Sequence, residues 1–221
     1  MNFSLSRKSH SSNSNSNSDG SASEGNTPPS DSSDNSDNPY KRITRSIDAP
    51  KIRNIQKKDI EVSISSSKDL TTQGILRAGV IIYTKNNGTT YFCLGVDTQS
   101  GNLTDFGGGV KKDETVVEGA LRELEEESQG VFGSLSVEDI SDSVVFHSHN
   151  MAIIFISHQG DKRKIVTEFE KKADENGAPE VCDIVWLTTE QLLESIHGRG
   201  RTLYIRVRKL LSKVTSTISN L

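Results

Sequence analysis

Residues 106–131 read FGGGVKKDETVVEGALRELEEESQGV, a triple glycine, a helix start and a dense run of carboxylates. The pattern predicts a tight loop leading into a short helix. Thr115 stands three residues before Glu118. That is the spacing of a capping box, in which each side chain accepts from the other residue's amide. With the start fixed, the remaining residues fall at about 100° intervals around the axis. Val117, Ala120, Leu121 and Leu124 share one face suited to packing on a sheet. Glu123, Glu126 and Glu127 cluster on the adjoining face, and Arg122 is an i,i+4 neighbour of Glu126. Ser128, Gln129 and Gly130 supply a stop, with Gly130 suited to a left-handed cap. Like charges one turn apart repel, so this density of acid calls for a counter-ion. Mg2+ prefers oxygen donors and keeps several waters while it contacts substrate phosphates. The implied chemistry is metal-assisted attack by water on a phosphate chain. The competing reading is a solvated acidic face.

Outward from this stretch, strands and helices interleave. LRAGVIIYT (76–84) reads as a buried strand, an Asn-Asn-Gly turn follows, and TTYFCLGVD (89–97) is the returning strand. TQSGNLTDFGGG (98–109) reads as a polar, glycine-rich loop. After the helix, SVVFHSHNMAIIFISH holds one or two strands with a turn at His149-Asn150, and RKIVTEFEKKADENGAP is a helix or a long loop. VCDIVWLTT is a strand, TTEQLLESI a capped short helix, and residues 202–219 carry apolar residues at helical spacing. IEVSISSS, upstream, alternates as an edge strand does. This is an α/β (α+β) layout around one sheet.

The chain has 221 residues, 32% hydrophobic, with a formal net charge of −4. The first forty residues are roughly a third serine, with many asparagines and almost no aliphatics, a composition that cannot bury a core. A disordered arm with a basic linker over 1–60 and one domain over 61–221 is the expected organisation. The balance of charge argues against a protein that coats nucleic acid by bulk charge. Its distribution is uneven: from Ser195 onward there is no acid, while Arg199, Arg201, Arg206, Arg208, Lys209 and Lys213 all occur. Arg206 and Arg208 are candidate polyanion contacts, against the alternative of a solvated final helix or pairs with the acidic stretch. The two cysteines, Cys93 and Cys182, sit in apolar strand-like runs and read as buried free thiols of a reducing compartment. No apolar run is long enough to span a bilayer and no secretory signal is evident, so an intracellular, cytoplasmic protein is expected.

The opening stretch resembles the box of the Nudix hydrolases, G-x5-E-x7-R-E-U-x-E-E-x-G-U, with U aliphatic. Gly108, Glu114, Arg122, Glu123, Leu124, Glu126 and Glu127 stand at the required spacing. The box covers about a tenth of the chain, and the flanking strands and VCDIVWLTTEQL agree with a whole domain. Gln129 stands where the family has glycine, one residue before Gly130, and a one-residue extension of the helix end is expected there.

The resemblance implies a Nudix-type α/β/α sandwich around a mixed sheet, with a core over about 74–200 and a C-terminal helix over 202–219. It implies Mg2+ or Mn2+ held by Glu123, Glu126 and Glu127 with the carbonyl of Gly107, one glutamate also serving as base. Arg122 would orient a catalytic glutamate, while Gly108 and Glu114 would shape the loop or stand in the outer shell. Glu180 is the candidate extra ligand or base, with Glu168 and Glu170 competing. The implied activity is Mg2+-dependent hydrolysis of a phosphoanhydride bond in a nucleoside diphosphate derivative or related polyphosphate, capped RNA and diphosphoinositols included. The partner is then a phosphate-rich small molecule or nucleotide, with RNA a further candidate. The alternative is a Nudix-like nucleotide- or partner-binding module that does not hydrolyse, and the complete charged set argues against it.

Overall fold

Along the apolar strands, successive side chains point to opposite faces, and here both faces are covered. The computed structural model describes residues 60–70, 74–177 and 180–221. The expected arm and linker, 1–60, lie outside the described residues except for Ile60. Strand β1 (Ser63–Ser66) precedes the hairpin of β2 (Arg77–Asn86) and β3 (Thr89–Asp97). Asn87 and Gly88 turn that hairpin with φ of 49° and 76°, the left-handed pair that a tight two-residue turn needs. Then come β4 (Leu103–Thr104), β5 (Phe106–Gly109), α1 (Val116–Glu127), β6 (Val144–His147) and β7 (Met151–Ser157). Helix α2 (Lys162–Asn176), β8 (Val181–Thr188), α3 (Thr189–Ile196), α4 (Ile205–Leu211) and α5 (Thr215–Ile218) complete the order.

Among the described residues eight strands form one sheet in the order β1-β6-β7-β2-β3-β4, with β5 paired to β2 and β8 to β3. The β2–β7 pair is parallel and the other pairs are antiparallel, so the sheet is mixed. Val80, Ile82 and Ile154 pack with Val117, Leu124, Ile165 and Phe169 of α1 and α2. Ile81, Phe92 and Phe155 face the other way and pack with Leu192, Val207 and Leu211 of α3 and α4. The result is the expected α/β/α sandwich.

Three expectations are corrected. Residues 98–109 are not a loop throughout, because 103–104 and 106–109 pair as β4 and β5. Gly107 lies opposite Gly79, and a Cβ on Gly107 would come 2.5 Å from the Gly79 Cα; the glycines let two backbones close where side chains would hold them apart. The C-terminal segment is not one helix over 202–219. It starts at Ile205, and Ser212 Oγ donates to the Lys209 carbonyl at 2.9 Å, a side-chain bond that competes with helix continuation. Cys93 is buried, which pushes its thiol well up, but Cys182 is exposed; both are free. No helix among the described residues is long and apolar enough to cross a membrane.

The close β2–β5 approach makes a direct prediction. Gly107→Ala forces its methyl against the Gly79 backbone, and the variant should lose about 2 kcal/mol or more. Urea unfolding monitored by circular dichroism reads this, and an unchanged midpoint would contradict it.

Candidate active site

Helix α1 starts as expected: the Glu118 amide donates to Thr115 Oγ1 at 3.2 Å and the Thr115 amide to Glu118 Oε2 at 2.7 Å. Its apolar face seats on the sheet, which leaves Arg122 and the acids at the margin beside β5. Arg122 is the centre of the arrangement. Nε and Nη2 donate to the two oxygens of Glu114 at 3.0 and 2.8 Å, and Nη2 also donates to the Gly109 carbonyl at 3.0 Å. Nη1 donates to Glu123 Oε1 at 2.7 Å and Glu126 Oε2 at 3.0 Å. A guanidinium has five N–H donors, and each bond here is charge-assisted or to a carbonyl. Glu114 is pulled down to about 2, chiefly by its hydrogen bond from Arg122. Its other task is local, accepting from the Lys111 amide at 2.6 Å and so closing the loop before the helix.

The strand side is held by groups the sequence reading passed over. Arg77 forks onto Asp105, which is fully buried, with both contacts at 2.7 Å, and its Nη2 also donates to the Gly107 carbonyl at 2.9 Å. The Gly107 amide donates to Glu127 Oε2 at 2.7 Å. The two peptides that meet at Gly107 are thus each held by a side chain. The available signal was an arginine and an aspartate each placed among apolar strand residues, where an unpaired charge is costly. Burial pushes Glu127 up to about 8 against the lowering effect of the Gly107 amide bond, and the negative charges of Asp105, Glu123 and Glu180 add to the rise.

Glu123, Glu126, Glu127 and Glu180 line one cavity of about 190 Å3, together with Gln129 and Val181. Glu127, Glu180 and Val181 also line a polar cleft of about 500 Å3 that includes Asn102 and Tyr204. The structure therefore brings Glu180 to the three helix glutamates. It does not bring Glu168 or Glu170, which are exposed on α2, Glu168 being 3.3 Å from Lys172. Among the described residues no three of these side chains already close on one metal-binding point. Glu123 and Glu126 are turned to Arg122, and Glu127 to Gly107. The donor set nevertheless suits a hard cation, being all oxygen. Gly108 makes the necessary room, since a Cβ there would stand 2.5 Å from the Glu123 carboxylate carbon.

Two further expectations change. The helix does not extend by one residue at Gln129: α1 ends at Glu127, and Gln129 itself takes a left-handed φ of 55°, followed by Gly130 at 65°. A glutamine stands in a conformation glycine prefers, and α2 holds it there, with Lys172 Nζ 3.0 Å from its carbonyl. Arg208 does not face the glycine-lined cleft. Its Nε donates to the Ile196 carbonyl at 3.0 Å and closes the end of α3, while Arg206 is exposed beside Gly108 and Gly109.

The NUDIX domain model matches residues 76–207. The chain belongs to the NUDIX family. It is accordingly a hydrolase acting on phosphoanhydride bonds. No curated protein matches it. Among solved structures it is similar to a Nudix hydrolase from M. smegmatis, RenU, at 12% identity and TM-score 0.44, over 67% of this chain and 89% of that one. It is also similar to the Bacillus subtilis pyrophosphohydrolase BsRppH at 15% and 0.45, over 72% and 89%. A C. elegans Ap4A hydrolase aligns at 16% and 0.39, over 65% and 98%.

The raised Glu127 gives the metal-free NUDIX domain a pH signature. A carboxyl raised from 4.5 to about 8 in the folded state contributes stability that is present below about pH 4.5 and lost as pH rises through about 8. Between about pH 5 and about pH 9 the metal-free wild type should therefore lose melting temperature relative to E127Q. Parallel curves in thermal scans would contradict the assignment.

Proposed function

We propose that this NUDIX protein is a Mg2+-dependent pyrophosphohydrolase, with Mn2+ as a substitute, and that residues 61–221 form its hydrolase domain. The substrate class is a nucleoside diphosphate derivative or related polyphosphate. The observation that carries this reading is the gathering of Glu123, Glu126, Glu127 and Glu180 around one cavity, beside a glycine strand, with a larger polar cleft adjoining. Those three helix glutamates and the Gly107 carbonyl would hold the cation. A divalent cation so bound supplies the charge that polarises a phosphoryl oxygen and lowers the pKa of water.

The remaining work falls to the chain. Arg122 orients Glu123 and Glu126 through Nη1, and Glu114 fixes Arg122 in turn. Arg77, braced by Asp105, holds the Gly107 carbonyl, while the Gly107 amide holds Glu127. Glu180, outside the helix, is the extra ligand or the base that takes a proton from the attacking water. The adjoining cleft, with Asn102 and Tyr204, takes the rest of the substrate.

The test is hydrolysis with Mg2+, read by chromatographic separation of the products, over dinucleoside polyphosphates, ADP-ribose, nucleoside triphosphates, capped RNA and diphosphoinositols. Wild type should cleave at least one of them, and E127Q should lower its kcat by about a hundredfold or more. If wild type and E127Q were equally inert on all while a nucleotide still bound, the protein would be a binding module instead.

A further inference from the structure

Gly108 and Gly109 of β5 also line a second cleft, of about 610 Å3, within the size range of small-ligand sites. Its polar lining includes Arg77, His149, Arg206 and Lys209, and among the described residues no aspartate or glutamate lines it. Arg206 and Lys209 lie three apart on α4, so they share a face. Val207, Leu210 and Leu211 of the same helix are buried in the core. Among the described residues no carboxylate pairs with Arg206 or Lys209. Two unneutralised cations on one face of a cleft repel each other and favour an anion between them. Leu76, Met151 and Leu210 give the cleft apolar surface that strengthens that attraction.

We infer that this cleft is a phosphate-binding subsite, and that the substrate is a compact molecule bearing phosphate groups in addition to the anhydride that is cut. The inference rests on the hydrolase reading of the carboxylate cavity for its second half only. Gly108 joins the two: it stands against Glu123 on one side and lines the basic cleft on the other. Arg77 lines both the basic cleft and the polar cleft that holds Glu127 and Glu180, so a substrate in one reaches the other. The arginine fork matches phosphate oxygens, and the lysine adds a point charge. Among the described residues no Phe, Tyr or Trp lines the cleft, and His149 is its one aromatic ring, so the base stacking on which single-stranded nucleic acid recognition leans has little platform there. The ligand is defined by clustered phosphate, whether in a linear chain or esterified on a polyol.

The test uses the full chain in EDTA, so that no metal-dependent event contributes. Inorganic tripolyphosphate and inositol hexakisphosphate are titrated calorimetrically into wild type, R206Q/K209Q and K85Q/K162Q. The last pair lines a second basic cavity beside β2 and α2 and serves as control. Wild type should bind at least one probe. R206Q/K209Q should weaken that binding about tenfold or more, and K85Q/K162Q should change it less than about twofold. Binding of tripolyphosphate alone identifies a linear chain, and of the hexakisphosphate alone a polyol ester; either supports the subsite. Should the double variant not fold, R206Q and K209Q singly carry the same test. No binding to wild type, loss that follows Lys85 and Lys162, or tighter binding of a 5′-phosphorylated oligonucleotide through Arg206 and Lys209 would overturn the proposal. Because hydrolysis is not read, an inactive E127Q or an inactive wild type leaves this result standing by itself.

Discussion

The site depends on one guanidinium. Arg122 sends its N–H groups to Glu114, Glu123, Glu126 and the Gly109 carbonyl, and so ties the loop after β5 to the first three turns of α1. Without it, Glu123 and Glu126 would stand one turn apart with no counter-charge, Glu123 being only 9% exposed. A buried carboxylate left without its partner costs more than the pair contributes. The same bonds also aim the acids. Each of Glu123, Glu126 and Glu127 gives one oxygen to a hydrogen bond, and a carboxylate has lone pairs on both. Arg122 therefore positions Glu123 and Glu126, and the Gly107 amide positions Glu127, without consuming their capacity to bind a cation.

Facing this web is a wall made thin by glycine. Gly107 and Gly79 bring β5 against β2, Gly108 leaves space for the Glu123 carboxylate, and Arg77 with Asp105 fixes the Gly107 peptide. The wall separates two environments of opposite sign. On one side four glutamates surround a small cavity; on the other Arg206 and Lys209 flank a cleft without acid. Under the proposed function a negatively charged substrate would be drawn to the basic side and repelled by the acidic side until a cation is present. The two sides would then have distinct tasks, holding phosphate and cutting it.

Much of this was legible in local pattern. The Thr115–Glu118 box set the frame of α1, and from that frame the face shared by Glu123, Glu126 and Glu127 followed, as did the alternation of the buried strands. What escaped was non-local. Arg77 and Asp105 are twenty-eight residues apart and meet only because β2 and β5 pair. The triple glycine read as loop because glycine's freedom is visible in sequence, whereas its use in a close strand approach depends on Gly79 opposite. Gln129 keeps a left-handed backbone through Lys172 on a distant helix, which no local rule supplies. Arg208 looked equivalent to Arg206, yet the end of α3 captures it.

The central claim is that the three helix glutamates form a divalent-cation site. Electron paramagnetic resonance of Mn2+ titrated into the full chain measures it without any substrate. Wild type should take up Mn2+ with a Kd that weakens about tenfold or more in each of E123Q, E126Q and E127Q. Binding that is absent in wild type, or equal in all four proteins, would contradict the account.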